Sequence, residues 1–455
     1  MKIGVIGKFP PIEGGVSTRT FWAAHGLAKL GHTVHVVTNA KEVGAPFRMY
    51  MREEDWARCE AQYGSGSVKV HWTDGYAGRQ WHIPHGLPYV TKLASIGLEL
   101  AQSGAIDVIH SYYAEPYCVA GHIVAQATGL PHVVRTAGSD AGRLWSLPQF
   151  AACYSHVFKS AAAVLCGPTV AQKMIAAGVA PSRLAFDPEP VRLQDLFTPE
   201  GPELDIGLLQ QQVLSENDGH CRGLLFGKFD PSLKYFGVYG KLGKAKGTFA
   251  LLEAFKRLNA DGVRAGLLVM AHERLDGAFR ERLRADGLEA TVCQVPFLPH
   301  WRVPDFIRRC VAVCCLEQDF PISFHTPAVA REVITCGGCL IGSKEILEKL
   351  PAVHKLIGAR GCIAVLDVHR ADDLAGKLAW VLEHPDEVAE MRLEARRYGV
   401  AIEAGSRFPA KLESILREIL QTGRLSPENI RKLPGRDHAR RLDEIVSSAG
   451  AAAPP

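Results

Sequence analysis

Three short stretches near the start decide the architecture: Lys2-Ile3-Gly4-Val5-Ile6-Gly7, Gly14-Gly15-Val16 and Thr33-Val34-His35-Val36-Val37-Thr38. The first and third are β-branched runs of the kind a parallel sheet buries on both faces. Between them, residues 17–30 carry apolar side chains at helical spacing. Ser17 or Thr18 can cap this helix, and Gly31 stands where a glycine ends it. Strand, glycine turn, helix and strand in that order open a parallel α/β sheet.

The rhythm continues outward. Strands are expected at 68–72, 107–111, 132–136 and 163–166, with helices at 89–102, 117–128 and 169–177. From 188 to 219 it breaks into a largely polar stretch with prolines, Gln210-Gln211-Gln212 and Asn217-Asp218-Gly219, which reads as a linker. A second series follows, with strands at 223–227, 265–271, 291–296, 311–316, 339–342 and 363–368. In it a helix at 248–258 lines up Phe249, Leu252 and Phe255 as an apolar stripe. The organisation expected is a first α/β domain over 1–190, a linker over 191–219 and a second α/β domain over 220–405. Further helical segments fall at 386–398 and 409–420, the span 406–422 being a C-terminal helix, and the polar tail 423–455 is expected to be loosely attached.

Composition narrows the class. The chain has 455 residues, 47% hydrophobic and 22% charged, enough for two globular domains with full cores. Its 52 Lys and Arg against 48 Asp and Glu are interspersed, so no cationic field marks a nucleic-acid partner. The N-terminal apolar run stops at Pro10-Pro11, too soon for a signal peptide, and no run of about 18 apolar residues suits a spanning helix. A cytoplasmic protein is expected. The 12 cysteines read as buried thiols, and Cys336-Gly337-Gly338-Cys339 lacks the second ligand pair of a zinc site, leaving a tight helix-to-strand turn. Neither a metal nor a bound cofactor is expected.

Four places carry chemistry. Gly14-Gly15-Val16 leads from the first strand straight into a helix, where free amides and the helix N-terminus suit an anion or a close-approaching ligand. The spacing is not Gly-x-Gly-x-x-Gly, and the second strand ends Val37-Thr38-Asn39 without a ribose-binding acid, which disfavours nicotinamide and flavin. Gly240-Lys241-Leu242-Gly243-Lys244-Ala245-Lys246-Gly247 precedes a helix; Lys241 and Lys246 are either solvated surface charges or two cations converging on a diphosphate. No Walker pattern runs through them. Glu332 lies in a helix among small apolar residues, so its carboxylate must reach solvent or accept hydrogen bonds from a ligand such as ribose hydroxyls. His325 and Thr326 stand at the start of that helix, and His110 ends the strand expected at 107–111.

Together these residues resemble the retaining glycosyltransferases of family 4, over nearly the whole chain to about residue 420. Gly14-Gly15-Val16 is similar to that family's glycine loop, Asp107-Val108-Ile109-His110 to its fourth-strand motif, and Gly138-Ser139-Asp140 to the end of its His-Gly-Ser-Asp segment. Gly240-Lys241-Leu242 with Lys246-Gly247 resembles its basic pair, and Glu332-Val333-Ile334-Thr335-Cys336-Gly337-Gly338 its Glu-Ala-Met-Ala-x-Gly helix.

The resemblance implies a GT-B fold: two Rossmann-like, doubly wound domains facing across a cleft, with a C-terminal helix crossing back to the first. It implies transfer of a sugar, with retention, from a nucleotide-diphosphate donor to a glycan, lipid or small-molecule acceptor. No metal takes part, and the family often works at membrane surfaces, although no basic amphipathic helix marks one here. Lys241 and Lys246 would hold the diphosphate, and Glu332 the ribose. Gly14, Gly15 and Val16 would shape the sugar and acceptor side, with Thr326 at the donor. His325 and His110 are the candidate catalytic histidines.

Two departures stand out. Phe324 takes the place of the family's first Glu, eight residues before Glu332, and Ala137 takes the place of the histidine before Gly138. They favour, as an alternative, a catalytically silent sugar-nucleotide-binding protein; another GT-B enzyme, such as a nucleotide-sugar epimerase, is a second alternative.

Overall fold

A computed structural model describes residues 1–75, 89–187, 193–216, 219–271, 276–321, 327–349, 361–403 and 408–431. The chain divides into two compact units, one formed by Met1–Val43, Arg52–Val191 and Arg407–Pro455, the other by Gly44–Met51 and Arg192–Ser406.

The first unit is built on β1 (Lys2–Gly7), β2 (Thr33–Thr38), β3 (Ala61–Tyr63), β4 (Gly66–Trp72), β5 (Val108–Tyr112), β6 (His132–Arg135), β7 (Ala163–Cys166) and β8 (Leu184–Phe186). Their order across the sheet is β3-β4-β2-β1-β5-β6-β7-β8, parallel throughout except for the β3 and β4 pair. β5, β6 and β7 are buried at every residue, including the polar His110, Ser111, His132 and Arg135. The Ala410–Thr422 helix belongs to this unit: a Cβ on Gly26 would lie 2.8 Å from Pro409, and His32 Nε2 meets Glu413 Oε1 at 3.2 Å. The stretch after it is better fastened than its polarity suggests. Ile430 bridges Ala185 at the edge of β8, and Glu418 gathers Ser426 and Asn429, so 423–431 is attached rather than loose.

The second unit holds β9 (Tyr235–Gly240), β10 (Gly266–Ala271), β11 (Val292–Pro296), β12 (Ala312–Cys315), β13 (Leu340–Ser343) and β14 (Ile363–Val365), in the order β11-β10-β9-β12-β13-β14 and all parallel. The Thr248–Ala260 helix packs Leu251, Leu252, Phe255 and Leu258 into its core.

Two expectations are corrected here. The strand expected at 223–227 is absent: Gly219–Gly223 is a short helix, Phe226 makes only an isolated bridge to Gln294, and the first strand is β9. The two glycines at 237 and 240 masked β9 in the sequence. Gly237 is needed because a Cβ there would press on the Cys310 sulfur at 2.5 Å. The polar stretch read as a linker contains the Ile206–Ser215 helix, whose N-cap Asp205 accepts the Leu208 amide at 2.8 Å and which buries Ile206, Leu209 and Val213. A run of three glutamines, Gln210-Gln211-Gln212, hid that amphipathic helix.

The cysteines are free thiols, and the described residues hold no cluster of three or more metal-ligating side chains. Cys336 caps a helix, Gly337 takes φ +70° and the Cys336 thiol reaches the Thr198 carbonyl at 3.3 Å. No helix among the described residues is long and apolar enough to cross a membrane.

Candidate active site

In each unit the strand order reverses direction at one point, between β1 and β5 in the first and between β9 and β12 in the second. Ligands of open α/β sheets bind at such switch points, beyond the carboxyl ends of the strands. Both are marked by a strained backbone. The only described non-glycine residues at positive φ are Tyr113, just after β5 (φ 83°), and Asp319, in the loop after β12 (φ 55°).

At the second switch point β9 ends and the chain turns through residues 241–247 into the Thr248–Ala260 helix. Gly247 must be glycine: its φ is +69°, and a Cβ would collide with the Leu316 carbonyl oxygen. That approach clamps the loop to the end of β12, and the Gly243 amide donates to Thr248 Oγ1 at 3.0 Å to close it. The helix has no side-chain N-cap and no acidic residue in its first turn.

Lys246, at the end of this loop, forms an ion pair with Glu317, whose side chain is only 3% exposed. Its Nζ also lies 4.1 Å from the centre of the Phe320 ring. Lys349 joins from the Lys344–Lys349 helix: its Nζ is 3.8 Å from Glu317 Oε2, 5.1 Å from the same ring and ion-paired with Glu345. Lys241 is exposed and has no ion-pair partner among the described residues.

Glu332 sits in the Ala328–Thr335 helix, 5% exposed, yet its carboxylate is fully engaged. Tyr239 donates its hydroxyl to Oε2 at 2.6 Å, and His300 Nε2 meets Oε1 at 2.9 Å. Burial alone would raise the Glu332 pKa, but the charge and hydrogen bond of His300 and the Tyr239 hydroxyl outweigh it and hold the carboxyl below its ordinary value. Phe197 packs against the His300 ring at 5.1 Å. Lys246 follows β9 and pairs with Glu317 after β12, while Glu332 takes the hydroxyl of Tyr239, one residue before the end of β9, so both clusters stand at this switch point.

In the first unit Gly14 takes φ 98° as the N-cap of the Gly15–Lys29 helix, and a Cβ on Gly14 or Gly15 would meet nothing within 4 Å. Both face open space. Val16 is half-buried and its carbonyl accepts the Thr20 hydroxyl at 2.9 Å. Across the switch point, the Lys8 ammonium lies 4.3 Å above the Tyr113 ring, and the Tyr113 hydroxyl is 3.1 Å from Ser139 Oγ. Asp140 is fully buried and accepts the amides of Ala114, Ala137 and Ala141 at 2.9, 2.8 and 2.7 Å. It ties the loop after β5 to the segment after β6; burial pushes its carboxyl up to about 6 against the pull of those amides.

His110 is corrected: it lies within β5 at 2% exposure, with Nδ1 3.2 Å from the Val133 carbonyl, and burial together with Arg135 lowers its pKa to about 4. It packs the sheet and reaches no open surface. His325 and Thr326 lie outside the described residues. Sequence reasoning missed Tyr239, His300 and Lys349. Tyr239 fell in the unrecognised β9, and the other two stand in separate helical segments with no spacing that links them.

Two α/β units, each with its loops gathered at a switch point, define the class of the GT-B glycosyltransferases. Residues 14–188 match the glycosyl transferase 4-like domain and residues 227–399 the glycosyl transferases group 1 domain. The chain thus carries both of these glycosyl transferase domains and is a transferase enzyme.

Its fold is similar to HepE of Anabaena, solved in complex with UDP and glucose, with a TM-score of 0.58, 15% identity and coverage of 93% of this chain and 100% of that one. It is also similar to sucrose-phosphate synthase of Thermosynechococcus elongatus, with a TM-score of 0.54, 15% identity and coverage of 92% and 98%. An uncharacterized glycosyltransferase of Methanocaldococcus jannaschii is 34% identical over 65 residues, which span 13% of this chain and 18% of that relative.

Proposed function

We propose that the chain transfers a sugar, with retention of anomeric configuration, from a nucleotide-diphosphate donor to a glycan, lipid or small-molecule acceptor. The observation that carries this reading is that Lys246, paired with Glu317, and Glu332, bonded to Tyr239, both stand at the carboxyl ends of β9 and β12. One supplies positive charge beside a helix N-terminus; the other supplies a buried carboxylate two bonds deep in hydrogen-bond donors. In this reading Lys246, with Lys241, takes the diphosphate, Glu332 takes the ribose, and the open Gly14-Gly15-Val16 turn serves the acceptor side.

As the bond from the anomeric carbon to the diphosphate oxygen breaks, negative charge grows on the leaving group, and a fixed ammonium there stabilises the transition state by roughly 3 kcal/mol. The lysines supply charge that a divalent cation supplies in other transferases, so transfer is expected to survive EDTA. UDP-sugars are the first donors to test, because HepE was crystallised with UDP and with UDP-glucose.

A second reading, a sugar-nucleotide-binding protein without turnover, is favoured by the engagement of Lys246 with Glu317. The deciding experiment incubates the purified chain with UDP-glucose, UDP-N-acetylglucosamine and GDP-mannose over a panel of acceptors, following nucleotide release and product configuration by NMR. Retained product supports the first reading, and tight donor binding without release supports the second. Isomerised donor in the absence of acceptor points to an epimerase. No donor binding at all sinks all three.

A further inference from the structure

We propose that Lys349 is a donor-binding residue, a further cation beside Lys246 at the diphosphate, and that Glu317 occupies both lysines until the diphosphate arrives. The inference rests on the nucleotide-diphosphate reading of this site and adds to it a residue that lies 103 positions beyond Lys246 in the chain.

The Lys344–Lys349 helix follows β13, the strand beside β12, so its side chains can reach the same carboxyl-end crevice as the loops after β9 and β12. Its two lysines differ. Lys344 is 63% exposed and pairs along the helix with Glu348, an ordinary surface pair of little consequence. Lys349 is 12% exposed and turns to Glu317 and Phe320, the two side chains that Lys246 also meets.

One buried carboxylate offers Oε1 to Lys246 and Oε2 to Lys349. Two oxygens on one small anion, each facing a different ammonium, is the arrangement that two oxygens of a phosphate group reproduce. Glu317 is therefore an internal stand-in for the ligand's own charge, and the Phe320 ring holds both ammonium groups near their working positions through cation–π attraction when the carboxylate yields them. Glu345, the other partner of Lys349, is 23% exposed, so solvent weakens that pair and lowers the cost of redirecting the lysine. The ligand class is a nucleoside diphosphate, since two cations on one side of a helix N-terminus exceed what a neutral nucleoside needs.

The test compares wild type, Lys349→Gln and Lys349→Arg by calorimetric titration with UDP, GDP and ADP, and with the matching nucleosides. For the diphosphate that wild type prefers, Lys349→Gln is expected to lose at least about tenfold in affinity, as removal of a charge-assisted contact implies. Nucleoside affinity should stay unchanged, and Lys349→Arg should recover most of the loss. Equal diphosphate affinity in Lys349→Gln overturns the proposal. So does an equal loss for nucleoside and diphosphate, which is the signature of a purely structural lysine. If wild type binds none of the three diphosphates, the nucleotide reading itself fails; if wild type binds and Lys349→Gln binds equally, only the role of Lys349 does.

Discussion

Lys246 and Glu317 are joined as an ion pair across the switch point of the second sheet, one from the loop after β9 and the other from the loop after β12. The carboxylate is 3% exposed and the ammonium 22%, so the pair is buried on one side and wet on the other. A ligand phosphate that takes Lys246 must compete with Glu317. Glu317→Gln is expected to tighten UDP binding several-fold while lowering the stability of the second unit by about 1–3 kcal/mol, the cost of leaving buried polar groups without their charged partner. Calorimetric titration and urea denaturation of the same samples check both signs; weaker binding in Glu317→Gln would show that Glu317 positions Lys246 rather than competing for it.

Glu332 and the lysines should fail differently. Glu332→Gln keeps the volume but removes the charge that His300 Nε2 and the Tyr239 hydroxyl face. Its effect should fall equally on uridine and UDP, because ribose is common to both, whereas loss of Lys246 should fall on UDP alone. Tyr239→Phe leaves one Glu332 oxygen without its donor in a buried place, and should cost about 1–3 kcal/mol of stability. Nucleoside and nucleotide titrations of the three variants decide the matter.

Acid should loosen the first unit before the second. Burial lowers the pKa of His110 to about 4, of His25 to about 4 and of His132 to about 3, from an ordinary 6.5. Because the folded state refuses protons that the unfolded chain accepts, stability is full above about pH 6.5 and falls as the pH drops toward 4. A shift of this size makes His110 alone worth about 3 kcal/mol by the end of that window. Denaturant midpoints from pH 8 to pH 4, repeated with His110→Gln, should show a shallower acid slope in the variant; identical slopes would remove His110 from the account.

Gly247→Ala combines a disfavoured positive φ with a collision at the Leu316 carbonyl. The backbone cost alone is about 1–2 kcal/mol, and relief of the collision must shift the turn that carries Lys246. Lower stability together with weaker UDP binding is expected. Full UDP affinity in a destabilised variant would separate the turn from the ligand.

Much of this was legible beforehand. β1, β2, β5 and β7 announced themselves because both faces are buried, and the basic pair showed itself by standing just before a helix. β9 was hidden because its two glycines dilute the β-branched signal, Gly237 being needed for close packing against Cys310. The Ile206–Ser215 helix was hidden by its run of three glutamines. Within the site, Glu332 was legible as a carboxylate in an apolar helix. Its partners were not: Tyr239, His300 and Glu332 are brought together by tertiary packing from β9, the segment after β11 and a helix after β12, and no local pattern encodes that meeting.

The most direct test of the central claim is the affinity difference between UDP and uridine, measured by calorimetry in wild type and in Lys246→Ala with the fold of each verified by circular dichroism. The account predicts that wild type favours UDP strongly and that Lys246→Ala, still folded, loses most of that preference and its sugar-transfer turnover with it. An undiminished preference in folded Lys246→Ala would contradict it.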